Sequence, residues 1–414
     1  MAVGFGEFRL GWKSVFASAL GIGFGLSPLP FYTIGVFVAP LANEFGWSVE
    51  QIMRGLPILI LGALVMSPVA GYFADKYGVR KVVLTSIPLF SLAMMGFSLN
   101  TGSISVYLLC WIMIAVTGAG TLPVTWTRAV NSWFTKRRGL ALGMSLIGTG
   151  IFGPLAKIYA ATLIDQFGWR LAYVGVGLLP LLIAFPVAWF FLHEASEEQL
   201  DIQDVSVGNQ LEVKKLSGMT AYEAIRDWRF WLIGYSFLPV SFAVGGPIPN
   251  LEEMFGSKGF TVTEAIALAS FVGFPSVIIG RVLGGFLLDY FWAPAVAAII
   301  LSLPAFSLFL MVQPDLSIMT AFFAMFLLGL AAGVEYDLMA YLVSRYFGQL
   351  NYSSIYGLLY GFFAIGSGFG PWLFARSYSA TGSYDTMLKI SAVLFIVGAV
   401  PLLFLGKYRD FSHK

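Results

Sequence analysis

The sequence predicts an all-α polytopic membrane protein, with twelve transmembrane helices in two pseudo-symmetric halves of six. Three observations carry that prediction. First, 58% of the 414 residues are hydrophobic and only 11% are charged, with a mean hydropathy of +0.82; a soluble chain carries roughly 25% charge. Second, the apolar residues fall in runs of membrane-spanning length, and at about 20 residues per crossing plus a short connection the chain has room for roughly twelve passes. Third, phrases recur between the halves at an offset near 214 residues: Gly71-Tyr-Phe-Ala-Asp75 matches Gly285-Phe-Leu-Leu-Asp289, and Gly148-Thr-Gly-Ile-Phe-Gly-Pro154 is echoed by Gly366-Ser-Gly-Phe-Gly-Pro371.

The uncharged or nearly uncharged runs lie at about 14–40, 50–73, 82–100, 105–130, 139–163 and 170–193, then at 229–251, 262–288, 292–312, 316–340, 353–375 and 386–406. Span one follows Arg9 and Lys13 but is far longer than a signal-peptide core and contains Pro28 and Pro30, so it reads as a helix of the mature protein. The one long polar stretch, with Glu197, Glu198, Asp201, Asp204, Lys214 and Lys215, separates six spans from six. The expected organisation is therefore an N-terminal bundle over 1–193, a linker over 194–225 and a C-terminal bundle over 226–414. Two such halves around a central pathway can expose a midplane site to either side by rocking. Counting Lys and Arg in alternate loops gives 16 on the side of the termini against 4 on the other. The positive-inside bias then places both termini in the cytoplasm of a multi-pass plasma (inner) membrane protein.

Composition also excludes. The 24 basic and 22 acidic residues leave a net charge of +2, too small and scattered for a nucleic-acid partner. Cys110 is the single cysteine, and His193 and His413 are the two histidines, both at segment ends; neither a disulfide framework nor a metal site is expected. The runs Gly21-Ile-Gly23-Phe-Gly25 and Gly366-Ser-Gly368-Phe-Gly370 lack a strand and a phosphate-binding Lys, so they read as helix-packing surfaces. With no Walker-type loop and no visible catalytic set, a gradient-driven carrier without cofactors is expected rather than an enzyme or an ATP-driven pump.

The loop after span two reads Gly71-Tyr-Phe-Ala-Asp75-Lys76-Tyr-Gly78-Val-Arg80-Lys81. It resembles the major facilitator superfamily signature Gly-x-x-x-Asp-x-x-Gly-Arg-Lys, with Val79 inserted where the family often has Arg. Gly71 permits close helix approach, Gly78 a tight turn, and Asp75 can sit against a helix N-terminus or pair with a base. Together with Arg80 and the vestigial repeat at Asp289, these residues form an expected latch. Further phrases resemble the monocarboxylate transporter and oxalate/formate antiporter branch: Phe45-Gly-Trp47-Ser48, Trp133-Phe-Thr-Lys136-Arg-Arg138-Gly139, Phe167-Gly-Trp-Arg170, Glu335-Tyr-Asp337 and Arg345-Tyr-Phe-Gly348. The resemblance spans nearly the whole chain. It implies uptake or exchange of a small organic anion with a carboxylate, often with a proton, by a protein that is usually a monomer.

Depth can be read without the resemblance. Arg281 lies eight residues before Asp289, about 12 Å inside the membrane at 1.5 Å per residue. A guanidinium there needs a wet cavity or a partner, and its planar fork suits a carboxylate, either a substrate's or that of another helix. In the monocarboxylate branch the Arg of span eight contacts the substrate anion, and Gly280-Arg281 with Gly284 and Gly285 matches it. Members of the branch often carry an Asp one turn earlier, where this chain has Val277, so a proton carrier must come from elsewhere. Glu335 and Asp337 on span ten are the candidates, about 15 Å and 12 Å in depth from Arg345. Two residues apart, they point about 200° apart. Aligning spans four and ten pairs Asp337 with Val124 and Tyr341 with Arg128, on a stripe with Thr117 and Thr121. On this reading Asp337 faces the pathway, either as a proton carrier or in a gate ion pair with Arg128, and Glu335 faces a neighbouring helix. The expected substrate-binding set is Arg281, Tyr336, Tyr341, Thr121, Tyr32, Thr33 and Asn250, although hydroxyls in membrane helices also bond their own backbone. Proton symport is the expected mode, with anion exchange or drug efflux on the same fold as the alternative.

Overall fold

The computed structural model describes residues 5–195 and 217–411 and is almost wholly helical. Among the described residues, the strand-like pairing is one bridge between Gly218 and Gly348. Most of the linker expected over 194–225 lies outside the described residues.

Eight helices are long and apolar enough to cross a membrane alone, and a bent pair, Ile104–Thr117 with Ala119–Trp133, makes a ninth. The other passes are hidden by breaks. Helix α1 (Phe5–Gly23) and α2 (Leu29–Phe45) share the first pass, interrupted where Pro28 caps α2. After α3 (Gly55–Tyr77) and α4 (Val79–Gly96), the fourth pass bends by 52° between α5 (Ile104–Thr117) and α6 (Pro123–Trp133). Helix α7 (Arg138–Leu179) and α8 (Phe185–Phe191) form one run of 54 residues, about 80 Å and more than twice a bilayer core. It is two passes joined at Gly168, whose φ of 79° breaks the helix.

Helix α9 (Trp228–Gly245) follows, then α10 (Val262–Phe271) and α11 (Val277–Tyr290), joined into one pass by a π-turn over Val272–Ser276 that contains Pro275. Helices α12 (Ala293–Met311), α13 (Ile318–Tyr346), α14 (Tyr352–Thr381) and α15 (Asp385–Ala399) complete the twelve passes.

The chain divides into two compact units. The first comprises Met1–Ala224, Val343–Leu358 and Tyr408–Lys414; the second comprises Ile225–Leu342 and Leu359–Lys407. In both, helix crossings are set by glycines, because lipid supplies little hydrophobic drive between helices and close backbone contact must do it instead. In the first unit a Cβ on Gly148 would lie 1.8 Å from the Ala19 carbonyl oxygen, and one on Gly23 would lie 2.7 Å from that of Gly148. In the second, a Cβ on Gly366 would lie 2.2 Å from the Leu238 carbonyl oxygen. The glycine-rich runs are helix-packing surfaces, as their sequence context indicates.

Candidate substrate site and latch

The second unit holds one deeply buried ion pair. Arg281 Nη1 on α11 donates to Asp337 Oδ1 on α13 at 2.7 Å, with side-chain exposures of 2% and 0%. The sequence brings them together through two small-residue faces. A Cβ on Gly280 would sit 2.5 Å from the Leu330 carbonyl oxygen, and one on Gly333 would sit 2.3 Å from that of Val277. Gly284 abuts Val334, and Gly329 abuts Ser276. Gly280 and Gly284 thus form one four-residue step on α11, and Gly329 and Gly333 its counterpart on α13. The π-turn re-phases the helix just before Arg281, and Ser276 Oγ spans it by donating to the Phe271 carbonyl oxygen at 2.9 Å.

Aromatic rings complete the surroundings. The Arg281 guanidinium carbon lies 5.9 Å from the Tyr336 ring centre. Tyr336 stacks on Tyr360 at 6.0 Å and lies against Phe363 at 4.4 Å. Glu335 is 4% exposed, and Arg281 acts on it electrostatically. Glu335 Oε2 and Asp337 Oδ2 are buried with no hydrogen-bond partner. A guanidinium held by one acid and an aromatic wall therefore meet in one place, with Glu335 buried two residues from Asp337 on the same helix. Tyr341 lies one turn beyond Asp337 and is 7% exposed.

All but Asp289 of the residues expected to form a latch lie in the first unit. Asp75, at the end of α3, accepts the Ser353 amide at 3.1 Å, the Ser354 amide at 2.7 Å and the Ser354 hydroxyl at 2.6 Å. These are first-turn amides of α14, which lack intrahelical partners and present the positive end of the helix dipole to the carboxylate. Arg128 Nη1 also donates to Asp75 Oδ1, while Arg128 Nε donates to Glu194 Oε1 at 2.9 Å. Glu194 Oε2 in turn accepts the Val79 amide at 3.1 Å. Gly71 is required for the approach, since its Cβ would lie 2.2 Å from the Ser353 carbonyl oxygen. Gly78 turns with φ 88°, and Arg80 donates to the Trp189 carbonyl oxygen at 2.7 Å. Asp289, the repeat's counterpart, lies near the end of α11 in the other unit.

Two sequence expectations need correcting. Arg128, expected as a gate partner of Asp337, pairs within the first unit with Asp75 and Glu194, and Asp337 pairs within the second with Arg281. The polar stripe on span four also fails, because the alignment assumed a straight helix and the chain bends at Gly118–Leu122. Thr121 is spent on that bend, donating to the Gly118 carbonyl oxygen at 2.7 Å and accepting the Leu26 amide at 2.9 Å. Thr33 donates to the Leu29 carbonyl oxygen at 2.8 Å, and Asn250 Nδ2 donates to that of Gly246 at 2.8 Å. Tyr32 packs its ring over Gly153. These four residues hold helix breaks and crossings within their own units.

Sequence reasoning missed Glu194, which looked like the head of a linker, and Ser353 and Ser354, whose signal is only their place at the start of span eleven. It also missed the Gly329 and Gly333 face and the rings of Tyr360 and Phe363. Two phrases read separately in the sequence meet as a clasp at the far ends of the helices from the latch. Arg170 Nη1 lies 2.7 Å from Glu44 Oε1 and its guanidinium stacks 4.3 Å over Trp169, while Phe45 contacts both Trp47 and Trp169.

The family model described as Major Facilitator Superfamily matches residues 20–371. The chain belongs to the major facilitator superfamily. It is 23% identical to a probable sulfoacetate transporter of Cupriavidus necator, over 90% of this chain and 89% of that one. It is 24% identical to a benzoate transport protein of Acinetobacter baylyi, over 93% and 88%, and 24% identical to human monocarboxylate transporter 10, over 82% and 66%. The crystal structure of the superfamily transporter FucP in the outward conformation matches at a TM-score of 0.72 and 14% identity, covering 97% of this chain and all of that one. At that identity the likeness establishes the fold alone; the family-model match makes the chain a multi-pass membrane protein and a secondary transporter of the superfamily. The resemblance to the monocarboxylate branch read from the sequence is matched by a relative of that name.

Proposed function

We propose that the protein is a proton-coupled symporter of a small monocarboxylate, with both termini cytoplasmic and the halves 1–193 and 226–414 alternating about a central site. The observation that carries this reading is the Arg281–Asp337 pair at 2.7 Å, buried in a superfamily chain whose relatives include carriers of carboxylates. A guanidinium keeps its charge across the physiological pH range. In the resting site Asp337 neutralises it. When Asp337 takes a proton, Arg281 loses its counter-ion and the substrate carboxylate replaces it, using the two-point geometry of the guanidinium. With Glu335 protonated throughout, the loaded site then holds one cation and one anion, as the empty site did. Charge neutrality is preserved in both states, which removes a barrier of several kcal/mol to burying either one. An unprotonated Asp337 with a bound anion would leave one net negative charge in a dry site, and this forbids uncoupled passage.

Glu335 is a second buried acid on the same helix as Asp337, and the Tyr336, Tyr360 and Phe363 rings supply an apolar wall for the substrate's carbon skeleton. Asp75, Arg128 and Glu194 close the cytoplasmic side through the first turn of α14. The test is uptake of radiolabelled acetate, lactate and benzoate by proteoliposomes under an imposed inward proton gradient. Accumulation that collapses with a protonophore supports symport; exchange without any pH dependence would refute it.

A further inference from the structure

A polar cavity of about 440 Å³ lies within the first unit. None of its lining residues takes part in the latch or the ion pair. Three guanidinium groups line it, those of Arg138 at the start of α7, Arg345 near the end of α13 and Arg409 in the C-terminal segment, against the single carboxylate of Asp410.

The wall is built, not incidental. The end of the linker pairs with the chain after α13, the Met219 amide donating to the Phe347 carbonyl oxygen at 2.7 Å and the Gln349 amide to that of Ser217 at 2.9 Å. Gly348, with φ 80°, makes that turn possible. Arg345 is held flat, 4.3 Å over the Tyr408 ring, and Tyr408 packs on Tyr346 at 5.5 Å. Arg138 is fixed by donating to the Phe134 carbonyl oxygen at 3.0 Å and to Ser344 Oγ at 3.3 Å.

Two donors in this wall are left over: Arg345 Nε and Gln349 Nε2 are buried without a hydrogen-bond partner. Leaving buried donors unsatisfied is costly, so a cavity that keeps them next to excess positive charge suits an anion with several acceptor oxygens. Planar guanidinium forks match a tetrahedral oxyanion especially well.

We propose that this cavity is a binding site for a phosphate group, carried either by a lipid headgroup or by free phosphate. Four stretches of chain meet there: the linker end, the start of α7, the end of α13 and the C-terminal segment. The α13 stretch runs on, through residues 347–351, into the α14 turn that Asp75 grips. An occupied site therefore ties these segments together and favours the latched arrangement.

The test uses the full-length chain in phosphatidylcholine nanodiscs, measuring thermal unfolding while inorganic phosphate is titrated, and separately after part of the lipid is replaced by phosphatidylglycerol. The variants are R345Q/R409Q, Q349A, which keeps every charge, and K136Q as a charge control on an exposed lysine. Stabilisation by either probe is expected. R345Q/R409Q should weaken the response about tenfold or more and Q349A less, while K136Q responds as the parent does. A response to phosphatidylglycerol alone assigns the site to lipid, and one to inorganic phosphate alone assigns it to the soluble anion. No response in the parent chain, or an equal response in Q349A and R345Q/R409Q, overturns the proposal.

Discussion

Arg281 and Asp337 stand 56 positions apart in sequence and meet at 2.7 Å with almost no solvent exposure. Removing either partner alone leaves a buried charge, which costs about 3–5 kcal/mol, whereas removing both together costs much less. Arg281→Gln and Asp337→Asn should therefore each lower the unfolding midpoint more than R281Q/D337N does. Transport separates the roles. Asp337→Asn should retain carboxylate exchange but lose accumulation driven by a proton gradient, while Arg281→Gln should lose both. Gradient-driven accumulation by Asp337→Asn would remove that residue from the proton pathway.

The latch depends on one carboxylate. Asp75→Asn keeps the side-chain shape but replaces one accepting oxygen with an NH2 and removes the negative charge that strengthens the bonds from Ser353, Ser354 and Arg128. Hydrogen exchange of the peptide covering residues 343–358 should speed up about tenfold or more, because a loss near 1.4 kcal/mol is a factor of ten in local opening. Unchanged protection would mean that the helix start is held without Asp75.

Glycine substitutions should split by location. Gly333→Ala places a methyl group 2.3 Å from the Val277 carbonyl oxygen, with Arg281 on the next turn. Forcing α11 and α13 apart should cost about 1–3 kcal/mol and impair uptake. Gly35→Ala meets nothing within 4 Å, so it should be neutral or stabilising by at most about 1 kcal/mol. Thermal unfolding of both variants in one detergent checks the contrast.

The clasp is a different kind of ion pair. Arg170 and Glu44 are 45% and 39% exposed, and solvent-screened pairs contribute about 0–1 kcal/mol. Arg170→Gln should therefore change stability by less than about 1 kcal/mol, far below the Arg281 variants. A larger loss, read in the same unfolding assay, would mean that stacking on Trp169 matters more than the charge.

Most of the fold was legible because a membrane core imposes length and apolarity on each pass, and both are one-dimensional properties. The passes that single helices do not reveal are those broken at Pro28, Pro123, Gly168 and Pro275, and the apolar runs still marked them. Asp75 was legible for a related reason: a carboxylate at the end of one helix has few uses, and the sequence named both, a helix start and a base. What could not be read was which start and which base, since Ser353 and Arg128 lie far away along the chain.

Arg281 was identified by depth alone, as a charge that must find a partner. Choosing Asp337 for it required the crossing of α11 and α13, which four glycines set to within backbone contact. The span-four stripe misled because periodicity assumes a straight helix, and Thr121 spends its hydroxyl on a bend that periodicity does not register. Hydropathy, internal repetition and depth along the chain show that it spans the membrane, repeats itself and carries buried charges that need answering. Which charge answers which emerges from the packed helices, because pairing depends on distances between helices, and those are set by how closely two backbones can approach.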